Sequence, residues 1–312
     1  MIETKNELEQ KRDYLSSLKS LETENYVDRI FYRPIGYKIA RRLAPTGITP
    51  NTITYISILI GVLGGALFYY ETPYWAVIIG ILLLVSANVL DCVDGQLARL
   101  TGIKSEIGRI LDGVAGYFWF FTLYIALATR LYHATDSTVW YYIAFLSMAS
   151  HALQAGITDY YKTIHLRFIS SEKGAEFETY QEIKERVDAM PNGFKKFVSR
   201  MYSGYTWIQN KLTPSLGEMV LAIREHGSTG DQRLTFRKVS MIIMRLLNLL
   251  TFNGRTIPLF IIALTGSVQY YFLYEIIFLN IVLGSVILQH EALCRWITEE
   301  VKDHNEDGAT KS

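Results

Sequence analysis

The sequence predicts an all-α membrane protein: a polytopic six-helix bundle with an N-terminal interfacial helix and a helical cytoplasmic insertion between spans four and five. Half of its 312 residues are hydrophobic, the net charge is only +1, and the apolar residues are gathered into separate runs. Runs of about 20 apolar residues are long enough to cross a bilayer as helices. Two cysteines are too few for a disulfide framework, which excludes a small disulfide-rich secreted domain.

Residues 1–48 are predicted to form N-terminal cytoplasmic and interfacial helices. Residues 2–25 are charged and carry leucines at helical spacing, which indicates a water-exposed helix with a narrow apolar stripe. Residues 27–43 mix five basic side chains with large apolar ones. This composition is typical of a helix that lies in an anionic lipid interface, with an ordinary solvated basic face as the alternative.

Segment 49–161 is predicted to hold spans one to four. Thr49-Pro50-Asn51 supplies a capping side chain and a proline at the first helical position, as expected where a helix begins. The four spans are predicted at residues 53–70, 74–91, 107–131 and 139–161.

Span four carries four polar side chains that are costly to expose to lipid: His151, Gln154, Thr158 and Asp159. Their spacings of three and four bring most of them to one side of a helix, which we expect to face the bundle interior. His151 is a candidate general base because imidazole titrates near neutrality, and Asp159 is a second candidate. A packed interior histidine is the alternative for His151.

The rest of the chain comprises a helical cytoplasmic insertion (162–240), spans five and six (241–295, with spans at 241–263 and 272–293) and a polar tail (296–312). Span five is predicted to break at Asn253-Gly254-Arg255 and at Pro258. Such breaks are tolerated where neighbouring helices or a cavity satisfy the freed backbone groups. Arg255 is predicted to pair with a substrate phosphate or, equally, to extend toward the membrane surface.

Basic residues in the loops predict the orientation of the chain. Lysines and arginines before span one, in the turn at 99–104, in the insertion and after Cys294 fall on one side, and Arg130 is the single exception. Since cytoplasmic loops carry an excess of basic residues, both termini and the Asp-rich end of the bundle are expected in the cytoplasm.

Three carboxylates, Asp91, Asp94 and Asp112, lie at the ends of two strongly apolar segments. Acidic side chains that border a span usually face a wet cavity, a counter-charge or a metal, because a charge at mid-membrane costs about 2.5–3.5 kcal/mol. Oxygen-only ligands at this density suit a hard divalent ion, so we expect these three residues to bind Mg²⁺ or Mn²⁺. The alternative is that the aspartates cap helices and the nearby glycines pack them.

Two small residues follow the first two acids. Gly95 and Ala98 lie on the adjacent turn, and residues three and four apart share a helix face. They leave room for a bulky ligand to approach the helix backbone. A metal-bound phosphate is the ligand expected there.

The spacing of these residues resembles the signature of the CDP-alcohol phosphotransferases. The pattern Asp-x2-Asp-Gly-x2-Ala-Arg-x8-Gly-x3-Asp is met by Asp91, Asp94, Gly95, Ala98, Arg99, Gly108 and Asp112. Thr49-Pro50-Asn51 with Thr54 also resembles a motif that precedes the first span in this family. The family signature ends with a further aspartate at the position of Gly116, where the carboxylate is thought to act as base and to help hold metal.

The resemblance implies an enzyme of phospholipid synthesis that moves a phosphatidyl or substituted phosphate group from a CDP-alcohol to a hydroxyl acceptor and releases CMP. CDP-diacylglycerol is the expected donor and an inositol-type alcohol the expected acceptor. Membrane lipids and a second copy in a homodimer complete the predicted partners, and nucleic acid is not among them. The CDP moiety is expected at Asn51, Thr54, Asp94, Gly95, Ala98, Arg99 and Gly108.

Two other functions stay open from the sequence alone. With Gly116 in place of the last acid, the chain is alternatively a catalytically impaired scaffold that binds CDP-lipids. A transporter, in which the acidic side chains and His151 relay protons or ions, is the second alternative. No sequence repeat relates the two halves of the chain, which argues against the transporter.

Overall fold

The computed structural model describes residues 12–18, 20, 22–103, 105–169 and 180–309. In this part of the chain the structure is helical and contains no β-strand, which confirms the all-α prediction. Two compact units are distinguished: the first comprises Met1–Leu153 and Thr251–Asn280, and the second comprises Gln154–Leu250 and Ile281–Ser312.

The main helices define the architecture. In chain order they are α1 (Arg33–Leu43), α2 (Pro50–Ala66), α3 (Tyr74–Thr101), α4 (Glu106–Thr135), α5 (Val139–Ile169), α6 (Tyr180–Asp188), α7 (Phe194–Leu212), α8 (Pro214–His226), α9 (Gly230–Leu247), α10 (Phe252–Leu264), α11 (Gln269–Leu273) and α12 (Leu279–Ala309). Two π-helical turns, Asp28–Tyr32 and Tyr274–Phe278, lead directly into α1 and α12.

The N-terminal helices agree with the sequence only in part. The helix predicted at 27–43 is present, and α1 packs against α3 with Gly36, Tyr37 and Ala40 buried. Its placement in a lipid interface stays a prediction. The helix predicted over 2–25 is too long: residues 1–11 lie outside the described part, and beyond Ser16 the chain turns. The Ser17 hydroxyl donates to the Tyr14 carbonyl at 2.6 Å, a local bond that competes with helix continuation.

Four helical segments are long and apolar enough to cross a membrane, within the residues described here: Pro50–Tyr69, Tyr74–Thr101, Leu111–Thr135 and Gln269–Asp303. The helices on either side of Thr251 make a fifth span if they are taken together as one broken span. The four segments correspond to predicted spans one, two, three and six, and the broken one corresponds to predicted span five. Predicted span four lies within α5, which carries many polar side chains and is not among them, so the count of six stays a prediction.

The predicted break in span five is misplaced. The helix ends at Leu250 and resumes at Phe252, so Asn253, Gly254 and Arg255 form the first turn of α10 and Pro258 lies inside it. Proline has no N–H to donate to the carbonyl four residues earlier, which here is that of Gly254. The Tyr274 hydroxyl donates to this carbonyl at 2.6 Å instead, and α10 therefore continues through the proline.

The insertion predicted at 162–240 is helical but shorter than expected. Helix α5 extends to Ile169 and α9 begins at Gly230, so both neighbours reach into it. Between them lie α6, α7 and α8, and residues 170–179 fall outside the described part. A capping box at Thr229 explains the early start of α9, since its side chain and that of Gln232 each accept from the other's backbone N–H.

The core of the first unit forms where α2 packs against α3 and α4. Large apolar side chains of α4, among them Trp119 and Leu123, are buried there. A Cβ atom at Gly65 of α2 would lie 2.8 Å from the carbonyl oxygen of Trp119 and 3.0 Å from the backbone nitrogen of Leu123. Glycine therefore lets the two helix backbones meet directly, as small residues do in membrane bundles.

We expect Gly65→Ala to lower the free energy of unfolding by about 1–3 kcal/mol, because the added methyl group must displace backbone atoms of α4. The melting temperature of the purified protein in detergent should fall accordingly. Gly284→Ala is the matched control, since a Cβ at this helical glycine meets no atom within 4 Å. Equal melting temperatures for the two variants would show that α2 and α4 do not approach this closely.

Candidate active site

Three carboxylates converge at the junction of α3 and α4. Asp91 and Asp94 lie near the end of α3, and Asp112 lies in the second turn of α4. One ligand oxygen from each lies within 4.8 Å of those of the other two. Asp94 is buried, Asp91 is partly buried and Asp112 is exposed, so the cluster opens on the side of Asp112. The structure thus brings together the three acids that the sequence singled out.

The connection from α3 to α4 places Asp112 beside the other two acids. Helix α3 ends at Thr101. The next residue, Gly102, has a φ of 73°, in the left-handed region that glycine adopts without strain. Ser105 then caps α4 by accepting a hydrogen bond from the Gly108 N–H at 2.8 Å. Asp112 follows one turn after Gly108 on the same face of α4.

Helix α2 contributes two side chains that hold this arrangement. The Thr54 hydroxyl donates to Oδ2 of Asp94 at 2.6 Å. Ser105 donates to Oδ1 of Asn51 at 3.0 Å, which joins the start of α2 to the start of α4. A Cβ atom at Gly108 would lie 2.2 Å from that same Asn51 oxygen, so only glycine permits the contact.

Gly95, Ala98 and Arg99 follow Asp94 within about one and a half turns of α3. The three atoms nearest to a Cβ atom at Gly95 would all belong to the Arg99 guanidinium, the first of them a terminal nitrogen at 3.3 Å. The guanidinium thus bounds the space above Gly95. Its Nε donates to the carbonyl oxygen of Ser17, and one terminal nitrogen is buried with no hydrogen-bond partner among the described residues.

The N-terminal segment is part of this site, which sequence reasoning missed. Gln96 donates from Nε2 to the Ser17 hydroxyl at 3.1 Å and to the Arg33 carbonyl at 3.3 Å. Arg33 in turn pairs with Glu24 at 3.3 Å. These partners are 63 to 82 residues away from α3 in the sequence, and no local pattern signals the contact.

Electrostatics also link Arg33 to the acids. Burial alone would lower the pKa of Arg33, but the Cys92 thiol and the carboxyl groups of Glu24, Asp28 and Asp91 act in the opposite direction and leave this pKa above its usual value. The guanidinium therefore stays charged and offsets part of the negative charge of the cluster.

The two candidate bases lie in different surroundings. His151 is buried, its Nδ1 lies 3.0 Å from the Tyr124 hydroxyl, and its ring contacts Phe120 at a centroid distance of 4.5 Å. Phe120 is eight residues beyond Asp112, or about 12 Å along the helix axis at 1.5 Å per residue. Asp159 belongs to the second unit, where it is exposed and lines a cavity of about 500 Å³.

Gly116 and Arg255 occupy the remaining positions of interest. A Cβ atom at Gly116 would meet no neighbouring atom within 4 Å, so α4 has space for a side chain about one turn after Asp112. Arg255 forms an ion pair with Glu275, and the two side chains are only 1% and 0% exposed. The guanidinium therefore does not extend to the surface, which excludes one of its two predicted placements.

The donor set at the cluster fits the predicted metal. All three candidate ligands are carboxylates, and Mg²⁺ and Mn²⁺ prefer oxygen donors of this kind. The hydrogen bond from Thr54 fixes the orientation of one ligand, as groups around metal sites commonly do. The cluster can hold a hard divalent cation and, through it, a phosphate group.

Comparison with known proteins agrees with this chemistry. Residues 47–173 match the family model of the CDP-alcohol phosphatidyltransferases. The chain is 45% identical over 75 residues to an archaetidylinositol phosphate synthase of Pyrococcus horikoshii, which covers 24% of this chain and 38% of that protein. It is 24% identical over 139 residues to a bifunctional IPC transferase and DIPP synthase of Thermococcus kodakarensis, with 45% and 30% covered.

A third relative is a phosphatidylinositol phosphate synthase of Streptomyces avermitilis, 33% identical over 90 residues, with 28% of this chain and 35% of that protein covered. The chain thus spans about a third of the length of each of these relatives. The matched family consists of enzymes of membrane phospholipid synthesis, and its region contains the three acids, Thr54 and Gly108. Residues 47–173, about two fifths of the chain, are therefore similar to the CDP-alcohol phosphatidyltransferase family.

Proposed function

We propose that this protein is a membrane-embedded, divalent-metal-dependent phosphotransferase that transfers a phosphatidyl or substituted phosphate group from a CDP-alcohol to a hydroxyl acceptor and releases CMP. CDP-diacylglycerol is the proposed donor. An inositol-type alcohol is the proposed acceptor. The names of two relatives support it: an archaetidylinositol phosphate synthase from Pyrococcus horikoshii and a phosphatidylinositol phosphate synthase from Streptomyces avermitilis. The observation that carries the proposal is the cluster of three carboxylates within 4.8 Å of one another.

The reaction exchanges one phosphorus–oxygen bond for another. The acceptor hydroxyl oxygen attacks the phosphorus that bears the donor alcohol, the bond from this phosphorus to CMP breaks, CMP leaves, and the hydroxyl loses its proton. A divalent ion held by Asp91, Asp94 and Asp112 would supply charge neutralisation at the diphosphate. Phosphoryl transfer depends mainly on positioning and on such neutralisation.

The other residues of the site position these groups. Thr54 orients the Asp94 carboxylate, and the Asn51–Ser105 bond fixes the start of α4 and thereby Asp112. Gly95 and Ala98 leave space on α3 for the cytidine nucleotide. Arg99, held by the Ser17 carbonyl, presents positive charge beside that space, which suits a diphosphate.

The proton of the acceptor hydroxyl is the open step of the proposal. The position that carries an aspartate in the family signature is Gly116, and His151 and Asp159 are the candidate bases from the sequence. A scaffold that binds CDP-lipid without turnover is the second candidate function, and Gly116 is the observation that favours it. A cytoplasmic active-site end is a further part of the proposal, and the loop charges support it. A homodimer is the proposed assembly.

We expect Asp94→Asn to reduce CMP release from CDP-diacylglycerol by about 100-fold or more, since loss of groups that merely surround a metal already costs about 10–100-fold. The assay uses the purified full chain with a panel of alcohols and Mg²⁺ or Mn²⁺. Asp136→Asn, at an exposed aspartate after α4, is the matched control and should leave the rate unchanged. A rate for Asp94→Asn equal to that of the wild type would contradict the assignment of the metal ligands.

Thr54→Val removes the hydroxyl but keeps the side-chain shape, so Asp94 loses the bond that orients it. We expect the Mg²⁺ concentration for half-maximal activity to rise by about 10-fold or more. Thr54→Ser, which restores the hydroxyl, should recover the metal dependence. An unchanged Mg²⁺ dependence in Thr54→Val would mean that the hydrogen bond has no role in metal binding.

Gly116→Asp adds a carboxylate one turn after Asp112, where the structure has open space. If proton transfer from the acceptor limits the rate, we expect CMP release to rise by about 100-fold, the scale of general base catalysis. Gly113→Asp is the matched control, because Gly113 also has open space but lies about 100° around the helix from Asp112.

The same experiment separates the two candidate functions. CMP release by the wild type supports the enzyme, and a selective gain in Gly116→Asp identifies the missing base. An equal gain in Gly113→Asp would instead indicate a nonspecific effect of charge. Metal-dependent nucleotide binding without CMP release, in both the wild type and Gly116→Asp, would replace the enzyme with the scaffold.

A further inference from the structure

A second cluster of ligating side chains lies on α12 in the second unit. His290, Glu291 and Cys294 each place one ligand atom within 4.8 Å of those of the other two. His290 and Cys294 are fully buried, and Glu291 is 6% exposed. The cluster is therefore enclosed. This distinguishes it from the exposed acidic clusters that are common on protein surfaces without a bound metal.

The spacing on the helix suits joint ligation. His290 and Cys294 are four residues apart and share a face, the spacing by which paired ligands on one helix bind zinc. Nδ1 of His290 lies 3.3 Å from the Cys294 sulfur. Two ligands of one tetrahedral zinc ion, at bond lengths of about 2.0–2.3 Å, lie at a similar separation of about 3.5 Å.

Polar atoms without partners are concentrated at this cluster. Glu291 accepts from the Ser215 N–H through Oε2 at 2.8 Å, but its Oε1 is buried and has no hydrogen-bond partner among the described residues. Nε2 of His290 and the hydroxyl of Tyr161 are likewise buried and have no hydrogen-bond partner within the described residues. The Tyr161 ring stacks on the His290 ring at a centroid distance of 3.8 Å and closes that side.

A buried carboxylate oxygen without a donor is costly, because the charge loses its hydration and gains little in return. The cost is greater here, since the cluster lies within Gln269–Asp303, one of the segments apolar enough to cross a membrane. A cation beside Oε1 of Glu291 removes the penalty. One thiolate, one carboxylate and one dication also sum to zero charge, which suits an apolar environment.

We propose that His290, Glu291 and Cys294 bind a borderline divalent transition-metal ion of the Zn²⁺ class, at a site separate in kind from the aspartate cluster. The donor sets discriminate between the two ions. Sulfur and nitrogen ligands select Zn²⁺ and its transition-metal relatives, whereas three carboxylates suit Mg²⁺ or Mn²⁺. Because the three ligands are buried and Glu291 also accepts from the Ser215 N–H, we assign the ion a role in stabilising the packing of α12 around Glu291.

Cobalt substitution tests the proposal with a readout that does not depend on activity. The purified full chain is treated with a chelator and titrated with Co²⁺ in the presence of excess Mg²⁺, which occupies the oxygen-only site. We expect about one Co²⁺ per chain to give a thiolate-to-cobalt charge-transfer band in the near ultraviolet, and Zn²⁺ to displace it. Absence of this band in the folded wild type overturns the proposal without reference to any variant.

Matched cysteine variants assign the band. Cys294→Ser should abolish it, whereas Cys92→Ser, at the other buried cysteine of the chain, should keep it. Glu291→Gln keeps the shape of the side chain and should weaken Co²⁺ binding by about 10-fold or more. Each variant is checked for a monodisperse profile in detergent. A band that persists in Cys294→Ser, or disappears only in Cys92→Ser, would place the metal elsewhere and overturn the assignment.

Discussion

Mutual repulsion among Asp91, Asp94 and Asp112 is the constraint on which the first unit depends. Three carboxylates whose oxygens lie within 4.8 Å of one another repel, and they separate unless the helices that carry them are fixed. The fixing comes from backbone contact between α2 and α4 at Gly65 and from the side chains that α2 extends to both neighbours. A bound cation would attract all three carboxylates and offset their mutual repulsion. The helix packing that holds the acids together therefore also sets the affinity for the metal.

The N-terminal segment adds a further layer to this arrangement. Residues outside the matched family region, Ser17 and Arg33, bond to the helix that carries two of the acids through Gln96 and Arg99. Arg33 also contributes positive charge near Asp91. The candidate site is therefore built from the region that matches the family model together with the segment that precedes it. The Ser17 carbonyl in that segment orients Arg99.

Much of the fold was predictable because apolar length and helical spacing are local properties. Spans one, two, three and six and the meeting of the three acids follow from such patterns. The continuation of α10 through Pro258 was not predictable, since it is accompanied by a hydrogen bond from a side chain far away in the sequence. The early end of the N-terminal helix involves only a local bond of Ser17, but many serines within helices make such bonds without ending them. The bond from Tyr274 to the Gly254 carbonyl joins residues 20 apart, and the sequence around Pro258 does not indicate it.

The candidate site shows the same division. The aspartate spacing could be read directly, whereas the contact of Ser17 with Arg99 joins residues 82 apart and required the structure. The spacing of His290 and Cys294 is visible in the sequence, but their burial and the unpaired oxygen of Glu291 are not. His151 was predicted as a candidate base only because imidazole titrates near neutrality. Its position among aromatic rings of α4 results from tertiary packing, which the sequence does not show.

The open space at Gly116 has an evolutionary consequence. Half of the glycine codons become aspartate codons by one base change, and the helix around this position needs no repacking to receive the new side chain. A single mutational step can thus add or remove the acid at this position without a steric clash. Selection at residue 116 therefore acts through the charge and chemistry of the side chain, because steric room in the helical bundle does not restrict it.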